Sequence, residues 1–188
     1  MKITTLKQEI HNRDLFSCGS KELDVYLKKY ALQDVKRNLT KVFVLEGKSP
    51  EEVAGYYTLS PLSFSKMEMT TPFSKKLPHY PIPAILLGRL AVSLNFQGQG
   101  IGAKLLMDAL LRVHRVSEDC FGIYAVVVDA KNEKASAFYQ HFGFIPFLSK
   151  TNRLFLPLDV LKSLVCPLFP TLHEKTEKGL LDMGVRAE

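Results

Sequence analysis

A glycine-rich turn opens the first stretch of the chain whose residue types could do chemistry. The sequence FQGQGIGAKLLMDAL, residues 96–110, has glycines at 98, 100 and 102 and then continues with apolar residues at helical spacing. Glycine lets a backbone approach a ligand without an intervening Cβ, and the first amides of a helix carry partial positive charge. The turn is therefore predicted to bind a phosphate group.

Three kinds of phosphate ligand have to be weighed for this turn. A Walker P-loop requires G-x-x-x-x-G-K-[ST], but Gly102 is followed by Ala-Lys-Leu, which excludes it. A dinucleotide fingerprint matches at Gly98, Gly100 and Ala103, but the acidic residue expected at the end of the next strand is misplaced. The pyrophosphate of coenzyme A needs only consecutive amides and a helix N-terminus, so it is the favoured ligand.

The elements that must position this turn alternate along the chain. Helical spacing, β-branched runs and turn residues divide the sequence into helices and short strands. In chain order these are a helix at 20–37, strands at 41–46 and 53–60, a long connection at 61–83, a strand at 84–92, the helix after the glycine turn, a strand at 121–130, a helix at 132–142, a strand at 153–158 and a short helix at 159–165. This order predicts an α/β fold around a mixed sheet.

The first helix has its own local predictions. Ser20 is expected to be its N-cap, and Leu23, Leu27, Tyr30 and Ala31 are expected to form its apolar stripe.

Composition limits the class of protein. The chain has 188 residues, 46% hydrophobic and 23% charged, which fits one soluble domain. No apolar run is long enough to span a membrane, and no signal peptide is evident. Cys18, Cys120 and Cys166 have neither metal-ligand nor disulfide spacing, so we expect a cytoplasmic protein without a metal site. The net charge of +6 favours a polyanionic partner.

A second motif lies about 30 residues after the glycine turn. It has the pattern N-x-x-A-x-x-x-Y-x-x-x-G-F and comprises Asn132, Ala135, Tyr139 and the pair Gly143 and Phe144. Together with Q-x-x-G-x-G at 97–102, it resembles the GNAT family of N-acetyltransferases. The resemblance implies a single GNAT-like domain at 1–165, with a mixed central sheet flanked by helices, a C-terminal tail of unknown role at 166–188, and acetyl-CoA as co-substrate.

The resemblance can be narrowed by the segments from Phe16 to Leu158, which are similar to the GNAT toxins of bacterial type II toxin–antitoxin modules. This implies acetyl transfer to the α-amino group of an aminoacyl-tRNA, a block of translation, a ribbon–helix–helix antitoxin as partner, and a possible homodimer. Two alternatives stay open: an N-acetyltransferase for a small-molecule or protein amine, and a non-catalytic acyl-CoA-binding module.

The resemblance also assigns roles to residues. It makes Tyr139 the general acid that protonates the departing thiolate of coenzyme A. The residues it places at the cofactor are Leu90, Ala91, Val92, Gln97, Gly98, Gln99, Gly100, Ile101, Gly102, Ala103, Asn132 and Phe138. Asn132 would serve equally as a helix cap, and Phe138 as a core residue.

The acceptor side is less well defined by the sequence. The segment AILLGRLAVSLN contains no carboxylate or histidine, which favours an amine of low pKa, and neither His79 nor His141 is a favoured base. Arg89 is a candidate substrate contact, although a structural carboxylate would also satisfy it. The candidate RNA-binding cations are Lys28, Lys29, Lys36 and Arg37, together with Lys66, Lys75 and Lys76.

Overall fold

A seven-stranded mixed sheet forms the centre of the molecule in the computed structural model, which describes residues 1–148 and 152–165. The strands are β1 (Ile3–Thr5), β2 (Lys41–Glu46), β3 (Val53–Phe64), β4 (Ile82–Val92), β5 (Ala125–Asp129), β6 (Ile145–Pro146) and β7 (Arg153–Pro157). Their order across the sheet is β1-β2-β3-β4-β5-β7-β6. Among these described strands, β4 and β5 form the one parallel pair.

Helices cover both faces of this sheet. They are α1 (Lys21–Val25) and α2 (Ala31–Lys36), joined without a break by a wide π turn (Tyr26–Tyr30), then α3 (Thr71–Ser74), α4 (Ile101–Asp119), α5 (Glu133–His141) and α6 (Leu158–Val165). Phe43 and Leu45 pack with α4, whereas Val42 and Val44 pack with the π turn. Because successive strand residues point to opposite faces, α4 and the α1–α2 run lie on opposite sides of the sheet.

The amphipathic pattern of α4 explains its position. Its predicted apolar residues are all buried: Ile101, Leu105, Leu106, Ala109, Leu110 and Val113. A polar contact also fixes the orientation of α4. The Tyr57 hydroxyl on β3 donates a hydrogen bond to the carboxylate of Asp108, which also accepts from Arg112 Nε at 2.8 Å. The helix that follows the glycine turn is thereby fixed to the centre of the sheet.

The pairing of β4 changes along its length. Ala84 to Leu87 pair with Ala125 to Val128 of β5, and the described pairing with β5 ends there. On the other side, Leu59 of β3 pairs with Leu87 and Thr58 pairs with Arg89. Gly88 is therefore an extra residue without a partner on β3, a bulge that bends β4 at the point where it parts from β5.

The predicted α/β order is confirmed, with several local differences. β3 continues to Phe64, into the stretch predicted as a connection, because β4 pairs with it along that length. Pro61 is tolerated there because the pairing with β2 ends at Leu59. Three short elements were not predicted: the strands β1 and β6 and the four-residue helix α3. Ser20 is the N-cap of α1 as predicted, but its side chain makes no capping hydrogen bond, and its hydroxyl accepts from Lys131 Nζ at 2.6 Å instead.

The predicted apolar stripe of the first helix also needs one correction. Tyr26 is buried, whereas Tyr30 is 51% exposed, because the π turn inserts an extra residue and rotates the helix face. The predicted tail at 166–188, with Cys166, lies outside the described residues. Within those that are described, no helix has the length and apolar character needed to cross a membrane.

Gly55 tests how tightly β3 packs under α4. A Cβ at this position would lie 2.8 Å from Leu105 Cδ1 and 2.9 Å from the backbone oxygen of Ala91. We expect Gly55→Ala to lower the free energy of unfolding by about 1–3 kcal/mol through overpacking. The matched control is Gly122→Ala, whose added Cβ meets no atom within 4 Å and should change the free energy by about 0.5 kcal/mol or less. Urea unfolding measures both, and equal midpoints would contradict this account.

Candidate active site

A cavity of about 820 Å³ lies where β4 and β5 part. Of the predicted site residues, it brings together Arg89, Leu90, Asn132 and Tyr139. Its wall continues along the helical run that begins at Ser20, through Leu23, Tyr26 and Tyr30. The cavity is therefore bounded by the central strand, by α5 and by the π turn.

The end of β4 offers free backbone groups toward this opening. Leu90, Ala91 and Val92 pair with Tyr57, Tyr56 and Gly55 of β3. On their other side the described pairing with β5 has ended at Leu87. The side chain of Ala91 packs among the aromatic residues under the π turn, so the backbone of this segment is what a ligand can reach.

The glycine turn has the geometry of an anion cradle. Gly98 and Gly100 have φ values of +75° and +73°, a backbone conformation that residues with a Cβ rarely adopt. A Cβ on either glycine would meet no atom within 4 Å. Within the described residues, the N–H groups from 98 to 103 make no main-chain hydrogen bond outside α4 itself. Successive amides therefore face open space at the N-terminus of a 19-residue helix, which fits a pyrophosphate.

Neighbouring side chains hold this turn in place. The Gln97 amide donates to the carbonyl oxygens of Val92 at 2.9 Å and Cys18 at 3.1 Å. Ile101 is buried in the core, so its side chain is structural and only its amide can face a ligand. Gln99 donates to the carbonyl of Asn95 at 3.3 Å. The turn is thus preformed between β4 and α4.

Phe138 and Asn132 come from α5. A Cβ on Gly102 would lie 3.8 Å from Phe138 Cζ, so the Phe138 ring sits beside the glycine turn, where it also packs edge-on against Tyr139 and Phe142. Asn132 caps α5, with its side-chain oxygen accepting from the Ala135 amide at 2.9 Å. The capping role that the sequence allowed for Asn132 is therefore present, while its contact with a cofactor stays a prediction.

Tyr139 is a buried phenol at the cavity wall. It is 8% exposed and packs against Phe138 and Phe144. Burial raises the pKa of Tyr139 to about 12, because the phenolate would lose its hydration. The side chain is therefore a neutral proton donor throughout the physiological range, facing the space between β4 and β5.

The carboxylates that line the cavity are already paired. Asp129 accepts two hydrogen bonds from Arg153, at 2.7 and 2.9 Å, and Glu22 pairs with Lys131 at 3.0 Å. His79 and His141 are exposed and do not line the cavity. The described residues of the cavity thus contain no unpaired carboxylate or imidazole in position to act as a base.

Arg89 has an aromatic partner. Its guanidinium carbon lies 3.5 Å from the centroid of the Tyr26 ring, a cation–π contact. Burial is the main cause that raises the pKa of Tyr26, to about 12, so that ring also stays neutral. The structural carboxylate that the sequence allowed for is replaced by a ring, and the cation remains at the cavity wall.

The predicted RNA-binding cations fall into two groups. Lys28, Lys29, Lys36 and Arg37 lie on the helical run whose π turn lines the cavity, and all but the half-buried Lys28 are exposed. Lys66, Lys75 and Lys76 lie in the connection before β4, at the opposite end of that strand from the glycine turn. An 11-residue strand spans about 35 Å, so the two groups do not form one patch beside the turn.

Sequence reasoning missed the contribution of Tyr26, Tyr30 and Lys131 to this site. Tyr30 was predicted to lie on an apolar helix face and Tyr26 was not singled out, and the π turn brings both to the cavity. Lys131 had no local signal, because its partners Ser20 and Glu22 are more than 100 residues away. Among the described residues, no group of three or more His, Cys, Asp or Glu side chains could hold a metal ion.

Comparison with curated proteins finds similar chains of known type. The chain is 30% identical to a probable toxin TacT of Sinorhizobium fredii over 87% of this chain and 94% of that protein. It is 37% identical to a tRNA-acetylating toxin of Mycobacterium tuberculosis over 76% of this chain and 82% of that protein.

Comparison with solved structures agrees with the comparison with curated proteins. AtaT complexed with acetyl-methionyl-tRNAfMet matches with a TM-score of 0.81 and 33% identity, over 87% of this chain and 98% of AtaT. A tyrosine-to-phenylalanine mutant of AtaT, bound to the C-terminus of the antitoxin AtaR and acetyl-CoA, matches with a TM-score of 0.75 and 31% identity, over 87% of this chain and 97% of that one.

The family model for the acetyltransferase (GNAT) domain matches residues 38–146, which include β2 to β5, the glycine turn and α5. With these matches and the geometry above, the chain belongs to the GNAT family of acetyltransferases.

Proposed function

We propose that this chain is an acetyl-CoA-dependent N-acetyltransferase toxin that acetylates the α-amino group of an aminoacyl-tRNA and thereby blocks translation. We place the catalytic domain at residues 1–165. The observation that carries the proposal is the likeness to AtaT in complex with acetyl-methionyl-tRNAfMet, which extends over 98% of AtaT at 33% identity. The relative described as a tRNA-acetylating toxin supports the same substrate class.

The donor side of the reaction uses the glycine turn and the end of β4. In this proposal the amides from Gly98 to Ala103 bind the pyrophosphate of acetyl-CoA, with Gln97 holding the turn and Phe138 packed beside it. The edge of β4 at Leu90, Ala91 and Val92 that β5 leaves unpaired binds the pantetheine arm in the opening between β4 and β5. Acetyl-CoA supplies the activated acetyl thioester.

Tyr139 acts as the general acid in this proposal. Its phenol lines the cavity and stays protonated, so it can give its proton to the sulfur of the leaving group. A thiol has a reference pKa of roughly 8.5, and a positioned phenol can protonate the departing thiolate as the C–S bond breaks. The same burial that raises the pKa of Tyr139 thus keeps the donor form in place.

The lack of a free base fits an α-amine acceptor. A lysine amine has a reference pKa of roughly 10.4, whereas an α-amino group has one of roughly 7.7–8.0 and is partly neutral without assistance. The carboxylates at the cavity, Asp129 and Glu22, each form an ion pair, with Arg153 and Lys131 respectively. An aminoacyl ester therefore suits this site better than a protein lysine.

We also propose a protein partner and a compartment. The matched AtaT structure contains the C-terminus of the antitoxin AtaR, so we propose an antitoxin of the ribbon–helix–helix class for this chain. Aminoacyl-tRNA and acetyl-CoA are both found in the cytoplasm, which we propose as the place of action.

Tyr139→Phe tests the general acid. Loss of the hydroxyl should lower kcat for aminoacyl-tRNA by about 10²- to 10⁴-fold, because the leaving thiolate loses its proton donor. The KM for acetyl-CoA and the unfolding midpoint should stay near wild type, since the ring and its packing remain. The control is Tyr80→Phe, an exposed tyrosine outside the cavity, with unchanged kcat. Thiol release measures the rates, and near wild-type kcat in Tyr139→Phe would contradict the assignment.

The pH dependence follows from the pKa of Tyr139 and of the acceptor. With amide-linked aminoacyl-tRNA, which survives alkaline pH, kcat/KM should rise as the α-amine loses its proton around roughly pH 7.7–8.0. The rate should then stay level to about pH 10, because burial raises the pKa of Tyr139 to about 12 and preserves the proton donor. A fall beginning near pH 9 would indicate a different acid.

Salt dependence tests the cations on the helical run. If Lys28 and Lys29 contact phosphates, Lys28→Ala/Lys29→Ala should reduce the slope of log affinity for tRNA against log salt concentration by about 2. The matched pair Lys7→Ala/Lys48→Ala also removes two positive charges, from exposed positions outside the candidate set, and should leave the slope unchanged. The same reduction in both pairs would mean that only net charge matters.

A further inference from the structure

The π turn at Tyr26–Tyr30 is an unusual element in the wall of the cavity. The Ala31 amide donates to the carbonyl of Tyr26, five residues back, instead of the four of an α-helix. Residues 21–37 contain no proline or glycine that would force this widening. Single π turns inside helices occur frequently at functional sites.

Arg13 stabilises this turn from outside the helix. One of its guanidinium nitrogens donates to the carbonyl oxygens of Leu27 at 3.2 Å and Lys28 at 2.7 Å. Widening a helix leaves some of its carbonyl groups without their regular hydrogen bonds to backbone amides. A charged side chain that donates to these carbonyls makes the wide form favourable. Arg13 therefore supports a backbone conformation that the helix sequence does not itself favour.

The widened turn controls where two aromatic rings lie. Tyr26 is buried beneath the guanidinium of Arg89, 3.5 Å from ring centroid to Arg89 Cζ. Tyr30 lines the same cavity and is 51% exposed, so its ring is available to a ligand. An accessible ring and an immobilised cation in the wall of one cavity form a combination that can recognise nucleotides, since bases stack on the ring and phosphates pair with the guanidinium.

We infer that the π turn is the acceptor-binding wall of the cavity, that the Tyr30 ring stacks on the terminal adenine of the aminoacyl-tRNA, and that Arg13 is the positioning residue that keeps the turn wide. The inference rests on the proposed function, because a nucleotide-bearing acceptor is what offers a base to Tyr30.

Paired substitutions at Tyr30 test the stacking. Acetyl transfer is measured with aminoacyl-tRNA and with an amino acid methyl ester, which has the same α-amine but no base. Tyr30→Ala should raise KM for aminoacyl-tRNA about 10-fold and lower the ratio of kcat/KM for aminoacyl-tRNA over methyl ester by about the same factor. Tyr30→Phe keeps the ring and should restore both values to within about twofold of wild type. Tyr80→Ala, an exposed tyrosine outside the cavity, is the control for ring removal.

Arg13→Gln tests the positioning role. The variant should raise KM for aminoacyl-tRNA several-fold while changing kcat less, because Tyr30 is displaced and Tyr139 is not. When Tyr30 is already alanine, Arg13→Gln should add about twofold or less, since the two residues act through one contact. Lys48→Gln removes the same charge from an exposed position and controls for electrostatics. Multiplicative effects in the double variant would overturn the positioning role.

The outcomes separate this inference from the proposed function. If the wild-type protein acetylates aminoacyl-tRNA but Tyr30→Ala alters both acceptors equally, or neither, the stacking inference is wrong and the proposed function stands. If wild-type protein acetylates other amines and not aminoacyl-tRNA, the proposed function fails and the inference fails with it.

Discussion

The parting of β4 from β5 after Leu87 is the constraint on which the rest of the site depends. A parallel pair that continued would saturate the backbone of Leu90 to Val92 and fill the space at Tyr139. The bulge at Gly88 bends β4 at this point while β3 continues to pair with it on the other side. One strand thus belongs to the core along one edge and presents free amides and carbonyls along the other, so the cavity costs the sheet only a few ladder hydrogen bonds.

The placement of charged and titratable side chains around the cavity then determines that the attacking amine must lose its proton without help from a free base. Burial holds Tyr139 in its neutral form, so in the proposed mechanism the protein supplies a proton donor to the leaving group. The nearby carboxylates are engaged by Arg153 and Lys131, so the protein does not supply a comparable acceptor to the attacking amine within the described cavity. A site that supplies a proton donor but no free base selects for nucleophiles that are already partly deprotonated near neutral pH, and the free α-amine of an amino acid esterified to tRNA is such a nucleophile.

The parts of this molecule that could be predicted from sequence are those encoded by local pattern. The glycine turn at 97–102, the apolar stripe of α4 and the spacing from Asn132 to Tyr139 each depend on residues close in the chain. The exposed position of Tyr30 could not be predicted, because it follows from a π turn supported by Arg13, 14 and 15 residues from the carbonyls it binds. The local signal placed Ser20 correctly at the N-cap of α1, but the partner of its hydroxyl could not be predicted, because Lys131 is 111 residues away in the chain.

Donor and acceptor recognition therefore have different physical origins in this chain. The donor side is held by the core: α4 starts at the glycine turn, buries its apolar stripe against the sheet and is anchored through Asp108 to the Tyr57 hydroxyl. A change there alters packing throughout the molecule. The proposed acceptor side rests on a single widened turn, fixed by two hydrogen bonds from Arg13. Substitutions in that turn or its support can redirect acceptor choice while the donor cradle and the fold persist, so differences in substrate between proteins of this fold are expected to concentrate in the segment corresponding to Tyr26–Tyr30.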